Sequence, residues 1–472
     1  MKNNFTLLIL LFSITCFSQN PSTLFGTWEG KINVGVSLRI VFNFAKDSMG
    51  NIIGTCYSPD QGNKAIPCSF VTIRRDSLFV GIESLRATYA GKLINDSVIE
   101  GQLTQGRSVD LRLAKVIKAT ALLRPQTPRP PFPYISEDVE YENADKTLHY
   151  GATITIPKGK TTSPAVLLIT GSGAQNRDEE IFGHKPFAVI ADYLTRQGYV
   201  VLRVDDRGVG KSSSGLTEAT TADFAKDVNT SLNYLKSRKE VNPKRLGMLG
   251  HSEGGMIAPM VASERKDIYF IILLAGPGEK ISSLMVEQNV AVLQSTGLSK
   301  STAEDYGKLF HNMIKAVLST NTVEESKAAV NNEVNKWKIN TPSNIVTATT
   351  GIINDSTQKQ FVEAISTSLA SPWFKYFLQF DPQPYLRKLH CKVLALNGEK
   401  DIQVPAKTNL AGISNALKKS GSTAYEVKEI PGLNHLFQMC KKCTVNEYGE
   451  LEETISPEAL KTVSNWLTSN IK

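Results

Sequence analysis

Long basic runs are missing from this 472-residue chain. The formal net charge is +8, but lysine and arginine are scattered, so the charge reads as a solubility feature and no nucleic-acid partner is expected. Beyond the N-terminus no apolar stretch is long enough to span a bilayer. Cysteine is scarce, with six in the whole chain. Cys440 and Cys443 form a C-x-x-C, yet no second ligand pair at zinc spacing accompanies it, so no metal and no cofactor are expected. A redox role would need a strand leading into a helix start, which is absent there. A local disulfide or two loop thiols remain. Histidine is equally scarce, at six, which narrows any search for a base.

The N-terminus has the form of a targeting segment. Lys2 supplies a positive region and residues 5–12 an apolar core, followed by small and polar residues near Ser18. Residues 1–18 are expected to be a signal peptide, and the protein to be exported to the periplasm or beyond. A lipid anchor at Cys16 is the weaker option, because Ser13-Ile14-Thr15 matches a lipobox poorly. Export permits disulfides. Cys56 and Cys68 flank a turn-rich segment and are candidates to pair. Cys391 opens an apolar strand and reads as a buried free thiol.

Residues 19–120 read as an all-β domain. Leu38, Ile40, Phe42 and Phe44 alternate with Ser37, Arg39, Val41 and Asn43. Strand-like runs recur at 70–74, 78–82, 88–93, 98–103 and 109–113, separated by turn residues. A small β-meander sandwich or barrel follows. Residues 24–30 faintly resemble the opening strand of a lipocalin-like barrel. The domain holds no acid pair, histidine cluster or nucleophile, so it reads as a structural appendage before a binding module. Five prolines between Arg124 and Pro133 exclude helix and inner strand, and residues 121–134 read as a stiff linker.

From residue 135 to 472 strands alternate with helices, the pattern of a mostly parallel, doubly wound sheet. Strands are expected at 139–142, 152–156, 165–170, 200–204, 246–249, 268–274, 392–396 and 425–430, the first two antiparallel. The continuous apolar runs among them suit strands covered on both faces. Ser456 and Pro457 are start signals for a closing helix. Residues 278–385 are too many for a connection and rich in helix formers, so they read as a helical cap. Helices are expected at 284–294, 303–317 and 323–334. Trp373, Phe374, Tyr376, Phe377 and Phe380 cluster where the cap returns. Half of them suit core packing, and one or two suit an apolar pocket wall.

The chemistry centres on Gly250-His251-Ser252-Glu253-Gly254-Gly255, between a short apolar strand and an apolar helix. Gly250, Ser252 and Gly254 fit G-x-S-x-G, the nucleophile elbow of the α/β-hydrolases. The serine sits on a strained turn, and the flanking positions pass so close that glycine is required. In that fold an acid and then a histidine follow the serine along the chain. His251 cannot reach its neighbour's hydroxyl, His311 lies in the cap, and His390 precedes the strand that should carry the acid. His435, in Pro431-Gly432-Leu433-Asn434-His435, alone follows every candidate acid. Asp401, just past the 392–396 strand, is the preferred acid, with Glu399 as alternative. The oxyanion donors are expected to be the N–H groups of Glu253 and Ser172, with Gly173 next. Two other matches mislead. Gly208-Val209-Gly210-Lys211-Ser212 lacks the first glycine of a P-loop, since position 205 is Asp205. Ser356-Thr357-Gln358-Lys359 matches S-x-x-K without its companions.

Four motifs now stand in order. They are Gly171-Ser172-Gly173-Ala174-Gln175-Asn176-Arg177-Asp178-Glu179, then Asp205-Asp206-Arg207-Gly208-Val209-Gly210-Lys211-Ser212, then the elbow, then Gly432-Leu433-Asn434-His435-Leu436-Phe437-Gln438. Over about residues 134–472 the chain resembles a bacterial serine-hydrolase group of the α/β-hydrolase superfamily. That group contains EstD-like carboxylesterases and is also described as serine aminopeptidase-like. The resemblance implies metal-free hydrolysis of small-molecule acyl esters, a familiar N-terminal β domain, and Arg177 and Asp178 as an ion-paired brace for the oxyanion loop. Cys440 and Cys443 fall outside its pattern. Two other functions stay open. A peptidase for short peptides or aminoacyl amides would use cap acids such as Glu304, Asp305, Glu324 or Glu325. A non-catalytic binding protein would usually lack one member of the Ser252, Asp401, His435 set. Oligomeric state is left open.

Overall fold

The computed structural model describes residues 23–34, 37–60, 65–119, 123–215 and 219–471. The expected signal segment and Cys16 lie outside them. The chain divides into two compact units, residues 1–122 and 123–472.

The first unit is one antiparallel sheet. Its strands are β1 (Gly26–Asn33), β2 (Ser37–Lys46), β3 (Ile52–Tyr57), β4 (Ile66–Pro67), β5 (Phe70–Arg74), β6 (Ser77–Ile82), β7 (Ala87–Asn95), β8 (Val98–Gln105) and β9 (Arg107–Val116). Their order is β4-β3-β2-β1-β9-β8-β7-β6-β5. Neighbours in sequence pair antiparallel except β4 and β5, which end the order, and β9 returns to β1. The sheet curls, for Cys68 N–H donates to Gly54 O at 2.8 Å and so joins the start of β5 to β3. Alternation puts Trp28, Phe42, Tyr89, Ile99 and Leu111 inside, all nearly or fully buried. Cys56 and Cys68 remain thiols. The ladder sets Cys56 opposite Ile66, two residues before Cys68, so the expected candidate pair is not joined.

The second unit is built on β10 (Ile135–Glu142), β11 (His149–Ile156), β12 (Ser163–Ile169), β13 (Val200–Val204), β14 (Val241–His251), β15 (Ile268–Leu274), β16 (Lys392–Gly398) and β17 (Tyr425–Ile430). The order is β10-β11-β13-β12-β14-β15-β16-β17. β10 and β11 are antiparallel and β13 to β17 run parallel through β12. Helices cover both faces, which is why the central residues of β12, β15 and β16 are apolar. On one face α2 (Thr221–Ser237), α3 (Gly254–Glu264) and α11 (Ala406–Leu417) bury Leu232, Val261 and Ile413. On the other, α1 (Pro186–Arg196) and α12 (Pro457–Asn470) bury Phe187, Leu194, Leu460 and Trp466. Thr220 and Asp223 form a capping box on α2, and Ser456 with Pro457 starts α12 as expected.

Between β15 and β16 stands the helical cap. It comprises α4 (Ile281–Ser295), α5 (Lys300–Leu318), α6 (Val323–Ile339), α7 (Ser343–Thr350), α8 (Asp355–Leu369), α9 (Pro372–Gln379) and α10 (Gln383–Leu386). Sequence patterning anticipates α4 to α6 but not α7 and α8. Threonines crowd α7, and a capping box of Asn354 and Thr357 starts α8. The cap has its own apolar core, including Leu309, Met313, Val330, Val334 and Leu378. The cis peptide lies at Pro130-Pro131. The proline-rich segment is not a bare spacer. Arg124 donates to the carbonyls of Phe182, Gly449 and Leu451 at 2.7 to 2.9 Å, and Gln126 brackets Thr454 and Ile455. Among the described residues no helix is long and apolar enough to cross a membrane.

Candidate active site

Ser252 sits where β14 meets α3. Its φ is 52°, a left-handed conformation that a side chain adopts only under constraint. The glycines make the turn possible. A Cβ on Gly250 would stand 2.0 Å from Gly254 O, and one on Gly254 would stand 2.2 Å from Ile169 O. The turn is pinned by Ser252 N–H donating to Leu274 O at 2.9 Å and Gly255 N–H donating to Ser252 O at 2.9 Å.

His435 follows β17 and Asp401 follows β16. They meet through His435 Nδ1 and Asp401 Oδ2 at 2.8 Å, both side chains buried. The other oxygen, Oδ1, accepts the N–H groups of Gln403 and Val404 at 2.8 and 2.9 Å. This fixes the carboxylate, so the acceptor on Nδ1 leaves Nε2 as the nitrogen free for chemistry. Glu399 takes a different part: it accepts Gly432 N–H at 3.0 Å and pairs with Lys400. Asn434 Oδ1 accepts the N–H groups of Leu436 and Gln438, both at 3.0 Å, and so shapes the histidine loop.

Ser252 and His435 open on one cavity of about 270 Å³. Ser172 and Gly171 line the same cavity. Among the described residues the N–H groups of Ser172 and Glu253 meet no acceptor, whereas Gly171 N–H is taken by Glu179 Oε1 at 2.7 Å. The cap closes the cavity with Met285, Trp373, Phe374 and Phe377. Three of the five clustered aromatics therefore face it, more than the sequence suggested. Phe380 is buried and stacks on Tyr385 instead. None of Glu304, Asp305, Glu324 and Glu325 lines the cavity. Glu304 and Glu324 pair with lysines, Asp305 accepts from Trp337, and Glu325 caps α6.

Arg177 and Asp178 brace the loop after β12 through ion pairs. Arg177 pairs with Asp205 at 2.6 Å and with Asp138 at 3.2 Å, and Asp178 with Arg203 and Lys185. The segment 208–212 wraps Asp205, whose Oδ2 accepts Lys211 N–H, and is a turn rather than a phosphate loop. The Cys440–Cys443 disulfide is formed, five residues past His435, and Cys391 is a buried free thiol.

Four ionisable side chains escaped sequence reasoning. Glu253 sends its carboxylate into the protein, where Thr221 Oγ1 and Trp373 Nε1 donate to it at 2.6 and 3.0 Å. Burial raises its pKa, against these donors. Burial also pushes Asp206 up to about 7, although the N–H of Gln175 and the hydroxyl of Thr170 donate to it. Glu179 meets His251 at 3.0 Å, and His251 Nε2 meets His435 O at 3.0 Å. Glu179 and His251 stood inside the quoted motifs, but only the folded chain brings their side chains together.

Comparison with known proteins agrees with this geometry. Residues 164–441 match the family model described as alpha/beta hydrolase fold. Esterase EstD of Thermotoga maritima is 34% identical over 165 residues, which is 35% of this chain and 39% of the esterase. The uncharacterized protein YfhR of Escherichia coli K12 is 28% identical over 145 residues, 30% of this chain and 48% of YfhR. The chain thus spans less than half the length of these curated relatives. A solved esterase of Pyrococcus furiosus is 16% identical, with a TM-score of 0.41 over 72% of this chain and 92% of that one.

Proposed function

The chain belongs to the alpha/beta hydrolase fold family, and on that premise we propose that it is an exported serine hydrolase that cleaves carboxylic esters through an acyl-enzyme on Ser252. One observation carries the reading. A serine held at positive φ, a histidine locked to a buried aspartate, and the Ser172 N–H group converge on one cavity, and neither that N–H nor the one of Glu253, next to the serine in the chain, meets an acceptor among the described residues.

In this mechanism Ser252 Oγ attacks the acyl carbonyl while His435 Nε2 takes its proton. The carbonyl oxygen becomes an oxyanion held by the Ser172 and Glu253 N–H groups. The resulting imidazolium, stabilised by Asp401, protonates the departing alcohol. Water then attacks the acyl-enzyme, with His435 again as base, and the acid leaves. The partner is a small-molecule ester. The ester reading is favoured over the peptidase one by the cap, none of whose four candidate acids lines the cavity. The disulfide fits an oxidising compartment and so supports export.

The test is hydrolysis of p-nitrophenyl esters of rising acyl length and of aminoacyl p-nitroanilides, beside Ser252→Ala. Ester turnover that drops on the order of 10⁴-fold or more in the variant is expected, as is fluorophosphonate labelling of Ser252. Undiminished turnover in Ser252→Ala would sink the mechanism. Anilide cleavage at comparable efficiency would make the enzyme a peptidase.

A further inference from the structure

His251 has no part in the mechanism above, yet it is buried beside it. Its two ring nitrogens face two acceptors. Nδ1 lies 3.0 Å from Glu179 Oε1 and Nε2 lies 3.0 Å from the main-chain oxygen of His435. A carbonyl oxygen accepts only, so Nε2 carries a proton. An ionised carboxylate accepts only, so Nδ1 carries one too. Two acceptors define a doubly protonated ring, which is an imidazolium. Burial is the largest single effect and disfavours that charge, but Glu179, the His435 main-chain oxygen and Asp401 together outweigh it, and the His251 pKa lies above its ordinary value.

The same Glu179 oxygen accepts Gly171 N–H at 2.7 Å, at the root of the oxyanion loop. One charged pair therefore bonds to both halves of the site. It holds the loop that carries Ser172 through Gly171, and the loop that carries the base through His435 O. The His251 ring lies 4.8 Å from the His435 ring, centroid to centroid. Around the pair stand Asp401, which acts on His251, Asp206, which faces Glu179, and Tyr448, which lies against the His435 main chain. Among these, His251 brings the positive charge to His435 and Asp401 the negative one.

We propose that Glu179 and His251 form a fixed-charge positioning pair: they clamp the His435 loop to the oxyanion loop, and the His251 imidazolium opposes a second positive charge on His435 as pH falls. The idea rests on His435 being the base. A positive ring at this distance opposes charge on the imidazole beside it and favours proton delivery to the leaving alcohol.

The experiment measures kcat/KM against pH with p-nitrophenyl acetate for wild type, His251→Gln and Glu179→Gln. The acidic limb is expected to move to higher pH, on the order of one unit for His251→Gln. That variant removes the positive charge and leaves the Glu179 anion. Glu179→Gln is expected to move the limb less, since His251 can then become neutral while keeping its bond to His435 O. Both should lower kcat more than they raise KM. A packing role alone would lower kcat and leave the limb in place, and that result overturns the proposal. Where His251→Gln fails to fold, Glu179→Gln and NMR titration of ¹⁵N-histidine in the wild type decide. An imidazolium at neutral pH supports the pair, and a neutral single tautomer overturns it. The NMR signal does not depend on turnover. Failure of the serine mechanism would appear separately, as activity surviving in Ser252→Ala.

Discussion

The two units of this chain bury polar groups in opposite ways. In the curled sheet, Arg39 and Asp60 meet at 2.7 Å and close on one another. The hydroxyl of Tyr89 finds Leu111 O, and the indole of Trp28 finds Leu24 O. These buried polar groups are answered within the sheet itself. In the doubly wound unit, Glu179, His251, Asp401, His435 and Glu253 are all buried within one neighbourhood around a cavity. Keeping several charges out of water together is costly unless each is matched. Such a concentration marks a site, whereas an isolated matched pair marks a fold. The contrast also separates the histidines, since all six lie in the second unit.

The contrast can be broken in four ways, from the largest effect down. Asp401→Asn keeps the shape of the buried acid but removes its charge and its hold on the His435 tautomer. Turnover should fall on the order of 10⁴-fold with little change in melting temperature. Retained activity would mean that the cluster is structural, like the pair in the first unit. Arg39→Met leaves the Asp60 carboxylate buried without its guanidinium partner, holding among the described residues only the main-chain N–H of residue 39. Denaturant unfolding should show a loss of about 3 kcal/mol or more. No loss would mean that Asp60 finds water or another donor.

Acid should act on the second unit first. His184 is buried against Thr454, Gln438 and Tyr448 O. Burial, helped by the charge of Arg124, lowers its pKa to about 4. A depressed histidine contributes stability above its unfolded value of about 6.5, lost as pH falls toward about 4. Thermal melting across that window should lose about 3 kcal/mol, and His184→Asn should flatten the loss. An unchanged slope in the variant would assign the acid response elsewhere. The smallest effect should come from Cys440→Ser with Cys443→Ser. The loop they close is very short, so the stability change should be about 1–2 kcal/mol. A collapse of activity on reduction would instead show that the disulfide governs the His435 loop.

Much of this architecture was readable in one dimension. Continuous apolar runs predicted strands buried on both faces, and alternation predicted the curled sheet, because periodicity reports how many faces are covered. Chain order alone singled out His435, and position after β16 favoured Asp401 over Glu399. The helices α7 and α8 were not legible, since their stability comes from packing in the cap core rather than from propensity. Cys56 and Cys68 looked like partners by spacing, but register decides which side chains meet. The prolines from Arg124 onward read as a spacer, yet Arg124 and Gln126 find acceptors more than three hundred residues away.

The sequence by itself determined the fold class, the glycine-flanked turn at Ser252 and the residues proposed as its base and acid. Those depend on local sterics and on the order of elements along the chain, which a linear string records. Only the tertiary structure decided that His251 lies between Glu179 and the His435 main-chain oxygen, that Glu253 turns its carboxylate toward the cap, and that Trp373, Phe374 and Phe377 wall the cavity. The reason is physical. Burial and hydrogen-bond partners set the protonation and direction of a side chain, and both come from residues distant in the chain.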